Sequence, residues 1–168
     1  MAKKKKSLNY IVVGALALLF GIAAFCMIFL PAVTYTGKLG LTEFTLKGTQ
    51  LAFGDKLENF DVETLTFNIM TLLAFVLPLA GGVVALITKN GLISKIVSVA
   101  LFVVGAAFLF STTGFTAISM TQETKDALLV IYNESLAIGP ILGGVFAIIG
   151  AAICFFKGTI AKFCARFV

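Results

Sequence analysis

The chain reads as an all-α membrane protein, a four-transmembrane-helix bundle with a small extracellular antiparallel β-sheet between helices 1 and 2. Hydrophobic residues make up 60% of the 168 and charged residues 12%, with a mean hydropathy of +1.07. A soluble domain is about half apolar and about a quarter charged. Four apolar runs, about 8–30, 66–88, 96–115 and 136–156, contain no Asp, Glu, Lys, Arg or His. Each is close to the roughly 20 residues that a 30 Å hydrocarbon core demands of a helix. Between the first two runs lies a polar segment, 33–64, in which the hydrophobic pattern alternates as in a strand. The chain, 1–168, is thus expected to form a single membrane domain.

Charge placement orients the spans. Nine basic residues (Lys3, Lys4, Lys5, Lys6, Lys89, Lys95, Lys157, Lys162 and Arg166) fall on the N-terminus, the second connector and the tail 157–168, with no acid among them. All eight acids, from Glu43 to Glu134, fall on the first and third connectors. Basic residues flank the cytoplasmic ends of spans, so the expected location is the plasma membrane with both termini cytoplasmic. Lysine outnumbers arginine twelve to one, a composition that hints at an AT-rich bacterial genome.

The first run follows Lys3–Lys6 and exceeds the usual 7–15 residues of a signal-peptide core, so it reads as an uncleaved anchor. Its small residues Gly14, Ala17, Gly21 and Ala24 share one helical face, a packing stripe that lets another backbone approach. Pro31 ends the span. In the outer segment, Val33–Thr36 reads as a short strand. Glu43–Lys47 alternates, with Phe44 and Leu46 on one face and Glu43, Thr45 and Lys47 on the other. Gln50–Phe53, with Leu51 and Phe53 on one side, reads as a further strand. The apolar sheet face is therefore Phe44, Leu46, Leu51 and Phe53. A lone hairpin is marginal in water, so the sheet must rest on the helix ends or on a neighbour. The acids Asp55, Glu58, Asp61 and Glu63 match no calcium-loop spacing and read as a solvated approach to the second span.

Pro78 is expected to kink the second span, and Asn90-Gly91 to form a tight turn to the third. The third span closes on Ser111, Thr112 and Thr113, whose hydroxyls can bond back to helical carbonyls. The outer loop 116–135 reads as a helix opened by a Ser119/Gln122 capping box and running on into the fourth span with a bend near Pro140. Asn133-Glu134-Ser135 reads as a chance sequon. Gly139, Gly143, Ala147 and Ala151 recur every four residues, a second small-residue face, which can serve packing within the bundle or between subunits. Replacing Gly143 with Leu is expected to disrupt that packing. The tail alternates basic residues with Ile160, Phe163 and Phe167, as a helix lying on anionic lipid would.

The chemistry expected is sparse. There is no histidine, and the three cysteines show no zinc or disulfide spacing; Cys164, beside the membrane, is a candidate for palmitoylation. No nucleophile has a base near it, no glycine-rich phosphate loop occurs, and no ionisable residue lies within a run. No catalytic, cofactor or metal residues are assigned, and nothing favours nucleic acid as a partner.

Four spans, internal termini, a long first outer segment with strands and a shorter second one make the chain similar to the claudin-type tetraspan architecture. That resemblance implies an outer sheet mediating lateral and cell-to-cell contacts. The Trp and the paired Cys that mark the first outer loop of that family are absent here, and no residue role transfers. The stretch from Phe44 to Gly54 also resembles small four-span membrane proteins of low-GC Gram-positive bacteria. The expected function is a non-enzymatic membrane scaffold, associating with itself or another membrane protein. The contacts would be Phe44, Leu46, Leu51 and Phe53 on the sheet and Gly21, Gly139, Gly143 and Ala147 on the helices. Alternatives are an oligomeric channel lined by Asn68, Thr71, Ser98, Ser111 and Thr112, and an accessory subunit of a transporter or protease complex.

Overall fold

The computed structural model describes residues 2–38, 42–55, 65–88, 91–120 and 122–164. The acids Glu58, Asp61 and Glu63, the turn residue Asn90 and the tail residues Arg166 and Phe167 lie outside that set. In chain order the elements are α1 (Ala2–Cys26), a 3-10 turn (Met27–Phe29), β1 (Pro31–Gly37), β2 (Phe44–Lys47) and α2 (Gly48–Phe53). They continue as α3 (Ile69–Ile87), α4 (Leu92–Phe110), α5 (Thr112–Ser119), α6 (Gln122–Ile131), β3 (Tyr132–Leu136), α7 (Ile138–Phe155) and α8 (Lys157–Cys164). Four helices are long and apolar enough to cross a membrane: Tyr10–Phe29, Ile69–Ile87, Leu92–Phe110 and Ile138–Phe155. They form a bundle in the ring order α1–α3–α4–α7, with the sheet at one end and α8 folded back beneath α1 at the other.

Backbone proximity holds the long helices together. A Cβ on Gly14 would stand 2.7 Å from the Ala85 carbonyl oxygen, and one on Gly21 2.7 Å from that of Pro78. These contacts lie about two turns apart on both helices and run in opposite directions, so α1 and α3 are antiparallel and in register. From the other side, a Cβ on Gly82 would stand 2.7 Å from Leu18 Cα. In hydrocarbon the apolar side chains gain little by leaving lipid, so this closeness and the dispersion it permits do the holding. Helix α3 runs continuously through Pro78, whose buried ring fits against Gly105 of α4.

The sheet has the order β2-β1-β3 and is antiparallel throughout. Strands β1 and β2 confirm the alternation seen at Val33–Thr36 and Glu43–Lys47: Val33, Tyr35 and Leu46 are buried, whereas Thr45 and Lys47 are exposed. The register sets Val33 against Leu46 and Tyr35 against Phe44. The Tyr35 and Phe44 rings stack at 4.9 Å, and Tyr132 meets Phe44 edge-on at 5.2 Å. Leu51, Leu65 and Leu128 complete the cluster beneath the sheet.

Four expectations are corrected. Gln50–Phe53 is not a strand but the end of helix α2. Gln50 Oε1 accepts from the Lys47 amide at 2.9 Å, which caps the turn at its start. Gly54, at φ 83°, ends it in a conformation that favours glycine, with Leu65 O directly where a Cβ would be. Phe53 consequently faces out at 60% exposure, off the apolar face. The third strand comes instead from Tyr132–Leu136, expected as helix. The chain therefore does not pass as one helix into the fourth span, and Pro140 sits in the first turn of α7, where its missing N–H leaves no bond unmade. The third span begins at Leu92, not Ile96, and ends at Phe110, so Lys95 lies on α4 with its ammonium 4.8 Å from the Phe155 ring centroid. Lastly, Ser119 is the final residue of α5, and its hydroxyl donates to Leu51 O at 3.3 Å; the side chain of Gln122, its expected capping partner, lies outside the described residues.

Gly21→Leu is predicted to force α1 off α3 and lower stability in detergent by about 3 kcal/mol. Gly114→Ala is the contrasting case: nothing among the described residues lies within 4 Å of its Cβ position, so a gain of roughly 0.5–1 kcal/mol is expected from helix propensity. Thermal unfolding followed by circular dichroism checks both.

Candidate functional site

The sheet is fastened to the bundle by a nearly buried polar network centred on Glu134 of β3. The register places Glu134 opposite Tyr35. The Tyr35 hydroxyl donates to Glu134 Oε1 at 3.2 Å, and Thr116 of α5 donates to the same oxygen at 2.7 Å. Lys125 of α6 approaches Oε2 at 3.6 Å, with side-chain exposures of 12% and 10% for the pair. The Lys125 ammonium also donates to Thr113 O at 3.2 Å. One carboxylate therefore ties β1, β3, α5 and α6 together. Burial above all, and then the Glu134 carboxylate, push the Tyr35 phenol well above its ordinary value, with the Thr116 hydroxyl acting the other way.

Asn68 is the second fastening. It is fully buried and caps α3, its Oδ1 accepting from the amides of Met70 at 3.0 Å and Thr71 at 3.2 Å. Its Nδ2 donates to Phe115 O at 2.7 Å and Ser119 Oγ at 2.8 Å, which locks α5 against the start of α3. An Asn directly before an apolar run is itself a cap signal.

Lys157, the first residue of α8, is 6% exposed and donates to Ala85 O at 2.5 Å and Thr88 O at 3.1 Å. Those carbonyls belong to the open C-terminal turn of α3, which favours a cation. Burial lowers the ammonium's pKa, with Cys154 acting weakly the other way. Lys38 does the same for α6 at the sheet end, donating to Leu129 O at 2.7 Å.

The helix residues expected to mediate association all pack within one chain. A Cβ on Gly139 would lie 2.7 Å from Pro31 O, Gly21 faces Pro78, and Ala147 is fully buried among Ala17, Phe102 and Ala106. Gly143 is the loosest of the set, its Cβ position 3.3 Å from the Leu109 side chain. Leu46 and Leu51 are buried under the sheet and Phe44 half-buried. Of the residues considered for a channel lining, Asn68, Thr71, Ser98 and Thr112 turn into the bundle and Ser111 is exposed. The Thr112 hydroxyl bonds back to Leu109 O at 2.7 Å, as expected of that cluster. Sequence reasoning missed Tyr35, Thr116, Lys125, Glu134 and Lys157. Among the described residues no three His, Cys, Asp or Glu side chains gather as metal ligands would.

Glu134→Ala is predicted to cost on the order of 3 kcal/mol, because it strands the Lys125 charge in a dry site. The contribution of Tyr35 to stability should hold constant from neutral pH to about 10 and fall above it. The folded Tyr35 phenol keeps its proton to higher pH than the unfolded one, so the unfolded state binds fewer protons there. Tyr35→Phe should flatten that alkaline fall, and denaturation of both variants across pH measures it.

No family model, curated protein or solved structure matches this chain.

Proposed function

We propose that this is a non-enzymatic integral protein of the plasma membrane, with both termini cytoplasmic, that assembles through the edges of its outer sheet with copies of itself or another membrane protein. The observation that carries the reading is the sheet order. With β1 central, β2 and β3 each pair on one side only among the described residues. An edge strand is a template for a further strand. The network around Glu134 makes this edge a rigid one, since it fixes β3 to two helices.

Two further observations support it. The small-residue faces are consumed inside the bundle, which leaves the sheet as the surface for association. Four of the five polar side chains that a lumen would draw on, Asn68, Thr71, Ser98 and Thr112, are turned inward, which favours assembly over conduction. The distribution of basic and acidic connectors supports the orientation.

Single cysteines placed at Thr45 and Asn133, both exposed on the edge strands, in a background without the native cysteines, test it in intact membranes. Disulfide-linked species are expected at one or both positions and not at Leu19→Cys, which is 61% exposed on the apolar flank of α1. Cross-linking at Leu19 alone would contradict the reading.

A further inference from the structure

At the end opposite the sheet, a groove of about 400 Å³ runs along the apolar flank of the bundle between α4 and α7. Its walls are Leu92, Lys95, Ile96, Val99, Ala100 and Val103 of α4 with Phe155 of α7. Leu92 to Val103 spans roughly 16 Å of helix, close to half of a hydrocarbon core of about 30 Å. The groove thus has about the length of one leaflet's acyl layer, and Lys95 stands in the first turn of α4.

Lys95 also lines a second, smaller cavity of about 10 Å³, together with Ser94, Ser98, Cys154 and Lys157. That volume admits about one water. The Ser98 hydroxyl at its wall is 1% exposed and has no hydrogen-bond partner among the described residues. Lys157 spends two of its three N–H donors on Ala85 O and Thr88 O, leaving the third. Among the described residues no acidic side chain lines either space. Lys95 therefore borders both the apolar groove and a small cavity that holds a second ammonium and an unsatisfied hydroxyl, with no counter-charge among the described residues that line them.

We propose that this groove and cavity form a binding site for one anionic phospholipid, its acyl chain lying along α4 and its phosphate held by Lys95 at the mouth of the Lys157 cavity. Charge complementarity, and the position of Lys95 on the wall of both spaces, select this occupant. The phosphate of a zwitterionic lipid is already paired with its own headgroup cation, and a free anion would not use the groove. Basic pockets between membrane helices hold anionic headgroups for the same reason. The inference rests on membrane insertion but not on the sheet-edge association proposed above.

The test is retention and affinity of phosphatidylglycerol against phosphatidylcholine, read by native mass spectrometry of the full chain from mixed micelles. Phosphatidylglycerol is expected to bind at least tenfold more tightly. Lys95→Gln should remove that preference, whereas Lys162→Gln, exposed on α8 at the same end, should change it less than twofold. Ala100→Trp fills the groove from an exposed position without altering charge and should reduce retention of both lipids. Equal losses in Lys95→Gln and Lys162→Gln would show diffuse surface attraction and overturn the site. So would undiminished retention in Ala100→Trp, or competition by millimolar inorganic phosphate as effective as the lipid.

Discussion

The structure depends on how closely helix backbones can approach where no water is present to drive them together. Phe102 shows the constraint most sharply. Its ring is fully buried and fills the space where Gly81 of α3 and Gly150 of α7 would otherwise carry side chains. One aromatic knob on α4 thus meets two glycine hollows on different helices, and any Cβ at either would have to displace the ring. The α1–α3 contact applies the same rule with backbone against backbone at Gly14, Gly21 and Gly82. With dispersion as the main attraction, a gap of a methyl group's width removes much of the binding between helices, so glycine placement sets the bundle's geometry.

That geometry in turn presents the helix ends on which the sheet is built. Ala52, Phe75 and Leu109 form the layer between the membrane core and the sheet cluster. Above it, the polar fastenings supply what apolar contact cannot, a unique register. Glu134 and Asn68 each join segments more than forty residues apart through short hydrogen bonds, and both are removed from water, where a missing partner is costly. At the opposite end Lys157 closes the carbonyls of α3 in the way Lys38 closes those of α6. The two ends use one device, an ammonium on an open helix terminus. The tail end also places a second lysine and an unsatisfied hydroxyl beside it.

Much of this was legible in the residues, and what was not has identifiable causes. The four helices follow from uninterrupted apolar length, and β1 and β2 from the alternation of Phe44, Thr45, Leu46 and Lys47. Strand β3 was hidden because Asn133, Glu134 and Ser135 have little intrinsic strand preference; pairing with β1 and the bond to Tyr35 impose the conformation. Helix α2 was misread because Leu51 and Phe53 fit a period of two by spacing alone, while the deciding features were the Gln50 side chain and Gly54. Lys157 looked like one of a solvated basic series. Its burial depends on where α3 ends relative to α7, which no local pattern reports.

Hydrogen exchange by mass spectrometry, on the protein in lipid at decreasing protein-to-lipid ratio, bears most directly on the central claim that the glycine faces close within one chain and the sheet edges between chains. The amides of α1 and α3 should stay equally protected at every dilution, and those of β2 and β3 should lose protection as copies separate. Loss of protection along α1 and α3 on dilution, with the strands unchanged, would place the glycine faces between subunits and contradict the account.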